Sequence, residues 1–445
     1  MVARVPDLGA AETRAAIDAA AAAQPAWAAR PPAARAAVLR AWSQLLRDNN
    51  GDLAAIMTAE QGKPLAEASA EVTSCADYLS WFADEAFRTY GNTIPQPAPG
   101  HLGIEIRQPL GVAVAITPWN FPASMLARKA GAALAAGCAL VAKPSELTPL
   151  SALAFASLGE RAGLPAGLLS VVTSSDADGI GRAMVEHPAT RKLSFTGSTR
   201  VGKVLQAACG ARLIRTSMEL GGNAPFLVLA GADVEAAAAS AVAAKFRNAG
   251  QTCISPNRFY VHDSLYDAFL AAMLRRVQAL RLGPGDAPDV SVGPLIHAGA
   301  AAKVSRHVAD AVARGATLHC GGAVDAAQGA AFFQPTLLSG VAPDAALCCE
   351  ETFGPLAALV RVHDAAEALA AANSVSAGLA AYVFGGEAGE LFRTAEALQA
   401  GMVGVNSHLV STVAAPFGGV RDSGHGKEGS SHGINEYMEV RSSTN

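Results

Sequence analysis

Gly111-Val112-Ala113-Val114-Ala115-Ile116-Thr117-Pro118-Trp119-Asn120-Phe121-Pro122 is a short apolar run closed by a polar, proline-bounded break. It reads as a strand over 111–116 that hands over to a helix near 123–136. The same rhythm continues downstream, with strand candidates at 138–142, 169–172, 192–195 and 213–218. Helical stretches near 149–162, 178–187 and 199–210 separate them. Strands alternating with helices imply a parallel, doubly wound sheet whose ligand lies beyond the carboxyl ends of the strands. Asn120, Lys143 and Gly197 each follow such an end, a placement that favours function over packing. From Pro225 a second α/β series starts, with a strand at 226–229, a helix at 233–246, a strand at 259–262 and a helix at 264–281. Further elements follow to 403–405.

The flanks read differently. Residues 10–90 are helical in pattern: Pro31-Pro32 starts a helix that ends near Asn49-Asn50-Gly51, and Asp52 is placed to cap the next. Over 65–90, Tyr78, Leu79, Phe82 and Phe87 share one apolar face, more in the manner of a core than of a ligand contact. Residues 101–108 alternate like a strand with Glu105 and Arg107 on one face, ended by Pro109. Such a strand, beside proline-rich loops, suits pairing with another subunit, although an ordinary surface hairpin reads the same way. The tail over 435–441 reads as a final strand.

Composition excludes several classes. The chain has 445 residues, too many for one ordinary core, so two or three domains are expected. Lysine and arginine number 34 against 38 acidic residues, with no basic stripe for nucleic acid. The purest apolar run, 132–142, is far shorter than the roughly 20 residues a membrane span needs. Glu12, Arg14 and Asp18 interrupt any signal-peptide core. The seven cysteines include no CxxC spacing, so no metal site is expected. These features lead to the expectation of a soluble cytoplasmic protein with reduced thiols.

Chemistry gathers at Lys245-Phe246-Arg247-Asn248-Ala249-Gly250-Gln251-Thr252-Cys253, where one cysteine sits behind a Gly-Gln pair in a polar break. A nucleophilic cysteine needs backbone amides and room for a substrate. A lone loop cysteine is more often inert. Three further stretches change the weighing: Ile116–Pro122, Phe195-Thr196-Gly197-Ser198-Thr199-Arg200-Val201-Gly202 and Glu219-Leu220-Gly221-Gly222. With Glu350-Glu351-Thr352-Phe353-Gly354-Pro355, they resemble the NAD(P)-dependent aldehyde dehydrogenase superfamily, in the same chain order, from near residue 10 to the C-terminus.

The resemblance implies an α/β fold with a doubly wound cofactor-binding domain (1–90 and 109–219) and an α/β catalytic domain (220–424). An oligomerisation hairpin and tail (91–108 and 425–445) would build a homodimer or homotetramer. It assigns Cys253 as nucleophile, Asn120 with the Cys253 backbone N–H as oxyanion hole, and Glu219 as the base that activates water. Lys129 and Glu428 match positions that pass protons to solvent, although a structural ion pair would look alike. The fingerprint GxGxxG is missing from the first strand–helix turn, and the turn at Gly197, Ser198 and Gly202 would take the pyrophosphate. Thr117, Trp119, Lys143, Ser145, Glu146, Glu351 and Phe353 complete the implied cofactor site. Glu146 would bond the ribose hydroxyls and repel a 2′-phosphate, which favours NAD with NADP possible through Lys143.

Two arginines narrow the substrate. Arg128 and Arg247 together resemble the succinate-semialdehyde dehydrogenase branch, where two arginines and a serine matching Ser411 hold a distal carboxylate. Arginine suits this because its planar fork binds carboxylates bidentately. Glutarate or 2-oxoglutarate semialdehyde would fit the same pair, and a broad-specificity enzyme or an inactive binding homologue are the alternatives. An acyl-CoA-forming relative would lack Glu219. The chain departs from the branch at Ser255, where a second cysteine is usual, so no Cys-Cys switch is expected there. It also begins late against the family pattern, with residues 2–8 at the end of the usual N-terminal strands.

Overall fold

The computed structural model describes residues 2–97 and 99–444. Met1, in the expected cofactor-binding domain, and Ala98 and Asn445, in the expected oligomerisation segments, lie outside the described residues. Four helices open the chain: Ala10–Ala28, Pro32–Asp48, Asn50–Gln61 and Leu65–Glu85. Pro32 occupies the first turn of the second, where its missing N–H costs nothing. Asp52 does not cap the third helix. That helix starts two residues earlier at Asn50, which leaves Asp52 in the first turn beside the positive end of the dipole. Tyr78, Leu79 and Phe82 are buried, but Phe87 falls in a short 3-10 turn after the helix and is exposed.

The expected parallel sheet is present. Its strands lie in the order Arg215–Glu219, Thr190–Thr196, Val112–Ile116, Ala139–Lys143, Leu169–Val171, all parallel, with Gly424–His425 antiparallel on the outer edge. The chain leaves the central strand Val112–Ile116 in both directions, so the crevice opens where the strand order reverses. Register aligns Ile116 with Lys143 on one side and with Phe195 on the other, and Thr196 with Glu219. One edge of the sheet therefore carries every chemistry-bearing residue that follows these strands. The helix Ser124–Ala136 is buried along its whole length, which explains its alanines and Gly131. A Cβ on Gly131 would come within 2.9 Å of Phe82.

A second sheet has the order Thr317–Cys320, Thr336–Ser339, Leu356–Val362, Pro256–His262, Ala224–Val228, Ala380–Phe384, Met402–Val405. It is parallel apart from its first pair. Each large sheet has its own apolar core, one built from residues 17–220 with 434–438 and the other from 224–417. The strand Leu102–Pro109 lies between Asn92–Pro95 and Met438–Thr444 in a third, antiparallel sheet. Its Leu102, Ile104 and Ile106 are exposed, as are Ile94 and Val440. The tail strand starts later than the alternation predicts, because Asn435 ends the short helix Ser430–Asn435.

Candidate functional site

The crevice at the carboxyl edge of the first sheet and the loop before Pro256–His262 share one cleft of about 280 Å³. Trp119, Asn120, Gly197, Ser198, Glu219, Cys253, Glu351 and Phe353 all line it. Cys253 also lines a smaller cavity of about 80 Å³ with Arg128, Arg247 and Ser411. A third cavity, of about 250 Å³, extends outward from Arg247 and Ser411 past His408 and Leu409. The cysteine thus stands where a long cleft and a short charged tunnel meet.

The loop that presents Cys253 is strained. Asn248 and Ala249 hold φ of 52° and 53°, the left-handed region that non-glycine residues enter only when their surroundings dictate it. Gly250 follows at φ 75°, and a Cβ there would meet the Gly354 carbonyl at 2.2 Å. Tyr382 donates its hydroxyl to the Ile254 carbonyl at 2.8 Å and fixes the chain beyond the cysteine. Burial pushes the Cys253 thiol well above its usual range, reinforced by the charges of Glu219 and Glu351 and opposed by Arg128.

Asn120 is buried, and its Nδ2 donates to the Gln251 carbonyl at 2.9 Å. An amide nitrogen has two N–H groups, so one remains for a ligand in the cleft. Glu219 is buried at the end of its strand, and neither carboxylate oxygen has a hydrogen-bond partner. Burial, then the charge of Glu428, raises its carboxyl to about 8, against the opposing pull of Lys129 and Arg128. Such a group exchanges protons near neutral pH. Lys129 donates to Thr196 at 2.6 Å and forms a short ion pair with Glu428. Thr196 is the register partner of Glu219, so a chain of exchangeable protons starts one strand away from the carboxylate.

Arg128 is 7% exposed and packed over the rings of Tyr78 (4.8 Å) and Phe417 (4.2 Å). Its Nη2 donates to Ser411 at 3.2 Å, while Nε and Nη1 have no hydrogen-bond partner. Arg247 is exposed, with its guanidinium over Phe121 at 4.9 Å. Ser255 donates to the Lys245 carbonyl at 3.3 Å.

At the far end of the cleft, Ser198 caps the helix Thr199–Gly210 and Gly202 has no room for a Cβ, which would meet Leu220 at 2.3 Å. Lys143 is buried with Nζ 3.5 Å from the half-exposed Glu146 carboxylate, and Ser145 accepts from the Leu147 N–H. Thr117 donates its N–H to the Lys143 carbonyl and keeps its buried hydroxyl unpartnered. Glu351 accepts from the Gly222 N–H at 3.2 Å, and burial raises its carboxyl to about 7. Trp119 meets Phe353 edge-on at 5.6 Å.

Several residues around the site have no sequence signal. Gln61, Glu67 and Glu71 from the third and fourth helices, and Lys63 from the connection between them, reach the Asn120 and Asn248 loops through hydrogen bonds. Charged residues in a helical stretch read as solvated. Lys303, which lines the cleft and donates to the Glu351 carbonyl, is hidden in the same way. Asn248 alone offered a clue, since asparagine tolerates positive φ. Among the described residues, no group of side chains is arranged to hold a metal ion and no helix is long and apolar enough to cross a membrane.

A profile of the family described as "Aldehyde dehydrogenase family" matches residues 1–443. The chain is 50% identical over 437 residues to the succinate-semialdehyde dehydrogenase (NADP+) of Escherichia coli strain K12, covering 98% of this chain and 90% of that protein. It is also 50% identical over 441 residues to a glutarate-semialdehyde dehydrogenase of Pseudomonas aeruginosa, covering 99% and 91%. The crystal structure of succinate-semialdehyde dehydrogenase from Burkholderia pseudomallei superposes with a TM-score of 0.98 at 49% identity, covering 99% of this chain and 91% of that one.

Proposed function

The chain belongs to the aldehyde dehydrogenase family, and from that premise we propose that it oxidises a carboxylate-bearing semialdehyde, succinate semialdehyde first, to the dicarboxylate with reduction of NAD(P). The observation that carries the substrate class is Arg128. A buried guanidinium in the cavity that also touches Cys253, with Nε and Nη1 free of hydrogen bonds and a second N–H on Nη2, has donors to give a carboxylate. Ser411 steadies the third nitrogen and Arg247 stands at the outer mouth. Glutarate semialdehyde is a second reading, favoured by the outer cavity, which gives a longer chain room to reach Arg247.

The cleft fits a dinucleotide. Gly197, Ser198 and Gly202 leave backbone and a helix N-terminus open for a pyrophosphate, and a Cβ on Gly197 would strike Phe195 at 2.5 Å. Thr117, Trp119, Lys143, Ser145, Glu146, Glu351 and Phe353 would hold the remainder. A bound NAD(P)+ would supply the hydride acceptor for the adduct on Cys253. Glu146 favours the free ribose of NAD, whereas Lys143 offers a cation to a 2′-phosphate.

Cys253 gives its proton to solvent in the cleft, and its sulfur forms a C–S bond to the aldehyde carbon as the C=O π pair moves onto oxygen. The negative oxygen is met by the free N–H of Asn120 and the Cys253 backbone N–H, a pair aimed at charge that exists only in the adduct. Oxidation leaves a thioester on Cys253. Glu219, ionised above its raised pKa, then takes a proton from water as the water oxygen bonds to the thioester carbon; the C–S bond breaks, the acid leaves, Cys253 sulfur is freed, and Lys129 and Glu428 pass the proton outward. The two cores correspond to cofactor and catalytic domains, and the apolar strands carrying Ile94, Leu102, Ile104, Ile106 and Val440 form a homo-oligomer contact. The protein works in the cytoplasm, the compartment in which singly scattered cysteines stay reduced.

Initial rates with succinate semialdehyde, glutarate semialdehyde and butanal test the reading. The expected order is succinate, glutarate, butanal, with no turnover by Cys253→Ala. Equal rates for butanal and the two semialdehydes would overturn the substrate class.

A further inference from the structure

We infer that Lys63, held by Glu71, is a positioning residue for the amide donor of Asn120, an inference that rests on the oxyanion reading above. The Lys63 and Glu71 side chains are 0% and 1% exposed, with Nζ 2.5 Å from Oε2. A buried ion pair is weak ground for stability, because desolvation offsets its attraction and apolar residues often serve as well. Its remaining bonds give this pair a purpose. Lys63 donates to the Asn120 carbonyl at 2.8 Å and lies over the Phe121 ring at 4.1 Å. Glu71 accepts from the Ala123 and Ser124 N–H groups at 3.1 and 3.0 Å. Both charges therefore grip one loop, 120–124.

The second half of the clamp comes from the loop before Cys253. Asn248 donates to the same Asn120 carbonyl at 3.0 Å. It is held in turn by Gln61 at 3.0 Å and by Glu67, which accepts its N–H at 2.8 Å. The Asn120 peptide is fixed by Lys63 and Asn248, and its side chain by the Gln251 carbonyl. One amide N–H is left with a single direction, in the cleft shared with Cys253. The residues 61–71 thus join the donor and the nucleophile loops into one frame.

A double-mutant cycle tests this, because Asn120→Ala removes the donor and keeps the carbonyl that Lys63 holds. Lys63→Met should lower kcat about ten- to a hundredfold, the scale of a displacement near 1 Å, with little change in the KM for NAD(P). In the Asn120→Ala background the same change should cost less than about threefold, since the group it positions is gone. An equal loss in both backgrounds makes Lys63 part of the scaffold and overturns the inference. Near-normal kcat in Asn120→Ala alone refutes the oxyanion reading instead. Where Lys63→Met does not fold, Lys63→Met with Glu71→Gln removes both charges and keeps an acceptor for the Ala123 and Ser124 N–H groups. Failure of that variant to fold also assigns the pair to the scaffold.

Discussion

Replacing Arg128 with methionine removes the guanidinium that lies over the Tyr78 and Phe417 rings and keeps an unbranched apolar side chain. Nε and Nη1 have no hydrogen-bond partner and Nη2 keeps a second N–H beside the one given to Ser411, so a substrate carboxylate can take two charged hydrogen bonds from one face. Each contributes about 1.5–3 kcal/mol. Glu428, 3.9 Å from Nη1, already satisfies part of the charge, so the lower end of the sum applies, about 3 kcal/mol. That corresponds to a loss of about 150-fold in kcat/KM for succinate semialdehyde. Butanal, of the same chain length without the carboxylate, is the control. Arg128 also favours the thiolate of Cys253, so Arg128→Met slows both substrates somewhat, and the ratio of their losses is the measured quantity. Glu428 keeps its partner Lys129, which limits collateral disruption. Initial-rate assays at saturating NAD(P)+ give both values. If the two aldehydes lose the same factor, the guanidinium only supports the fold and the semialdehyde reading fails.

Other outcomes follow from the electrostatics. If the ionised Glu219 is the base, as proposed, its carboxyl raised to about 8 means that thioester hydrolysis should accelerate as pH rises and level off above that value. Glu219→Gln should show a burst of NAD(P)H, then slow turnover with no such inflection, and a normal steady state would place the base elsewhere. At a pH above the Glu219 titration, iodoacetamide should alkylate Cys253 faster in Glu219→Gln, since a charge that disfavours the thiolate is gone. Slower alkylation would contradict that sign. Glu146→Ser should raise the NADP/NAD ratio of kcat/KM roughly fivefold, the size of one half-exposed charge contact. An unchanged ratio would mean that the carboxylate faces away from the ribose.

The alternation of strands and helices after Gly111 was legible because each short apolar run is punctuated by glycine, proline or a polar break, and these survive into the structure with shifts of a few residues. The Cys253 loop stood out for the same reason. What the pattern hides is burial of charge. Lys63, Lys192 and Lys245 lie in helical or alternating stretches where lysine reads as solvated, yet all three are buried. Burial lowers Lys192 to about 8 and Lys245 to about 7, against the pull of Glu436 and Glu351. Each partner lies far away along the chain, so no local window shows the pair. Phe87 misleads in the opposite direction, because it continues an apolar face past the end of the helix that would have buried it.

Lys129 and Glu428 are 299 residues apart in sequence, and the strand Gly424–His425 completes the sheet edge beside Glu219. Closing such loops comes late in folding, because chain entropy opposes it until many contacts can form together. Helices and inner strands should therefore recover early during refolding, and the Lys129–Glu428 contact last. Enzymatic activity then lags behind ellipticity in a refolding time course. A chaperone or protease that meets the chain in that interval finds a nearly complete fold without a working site.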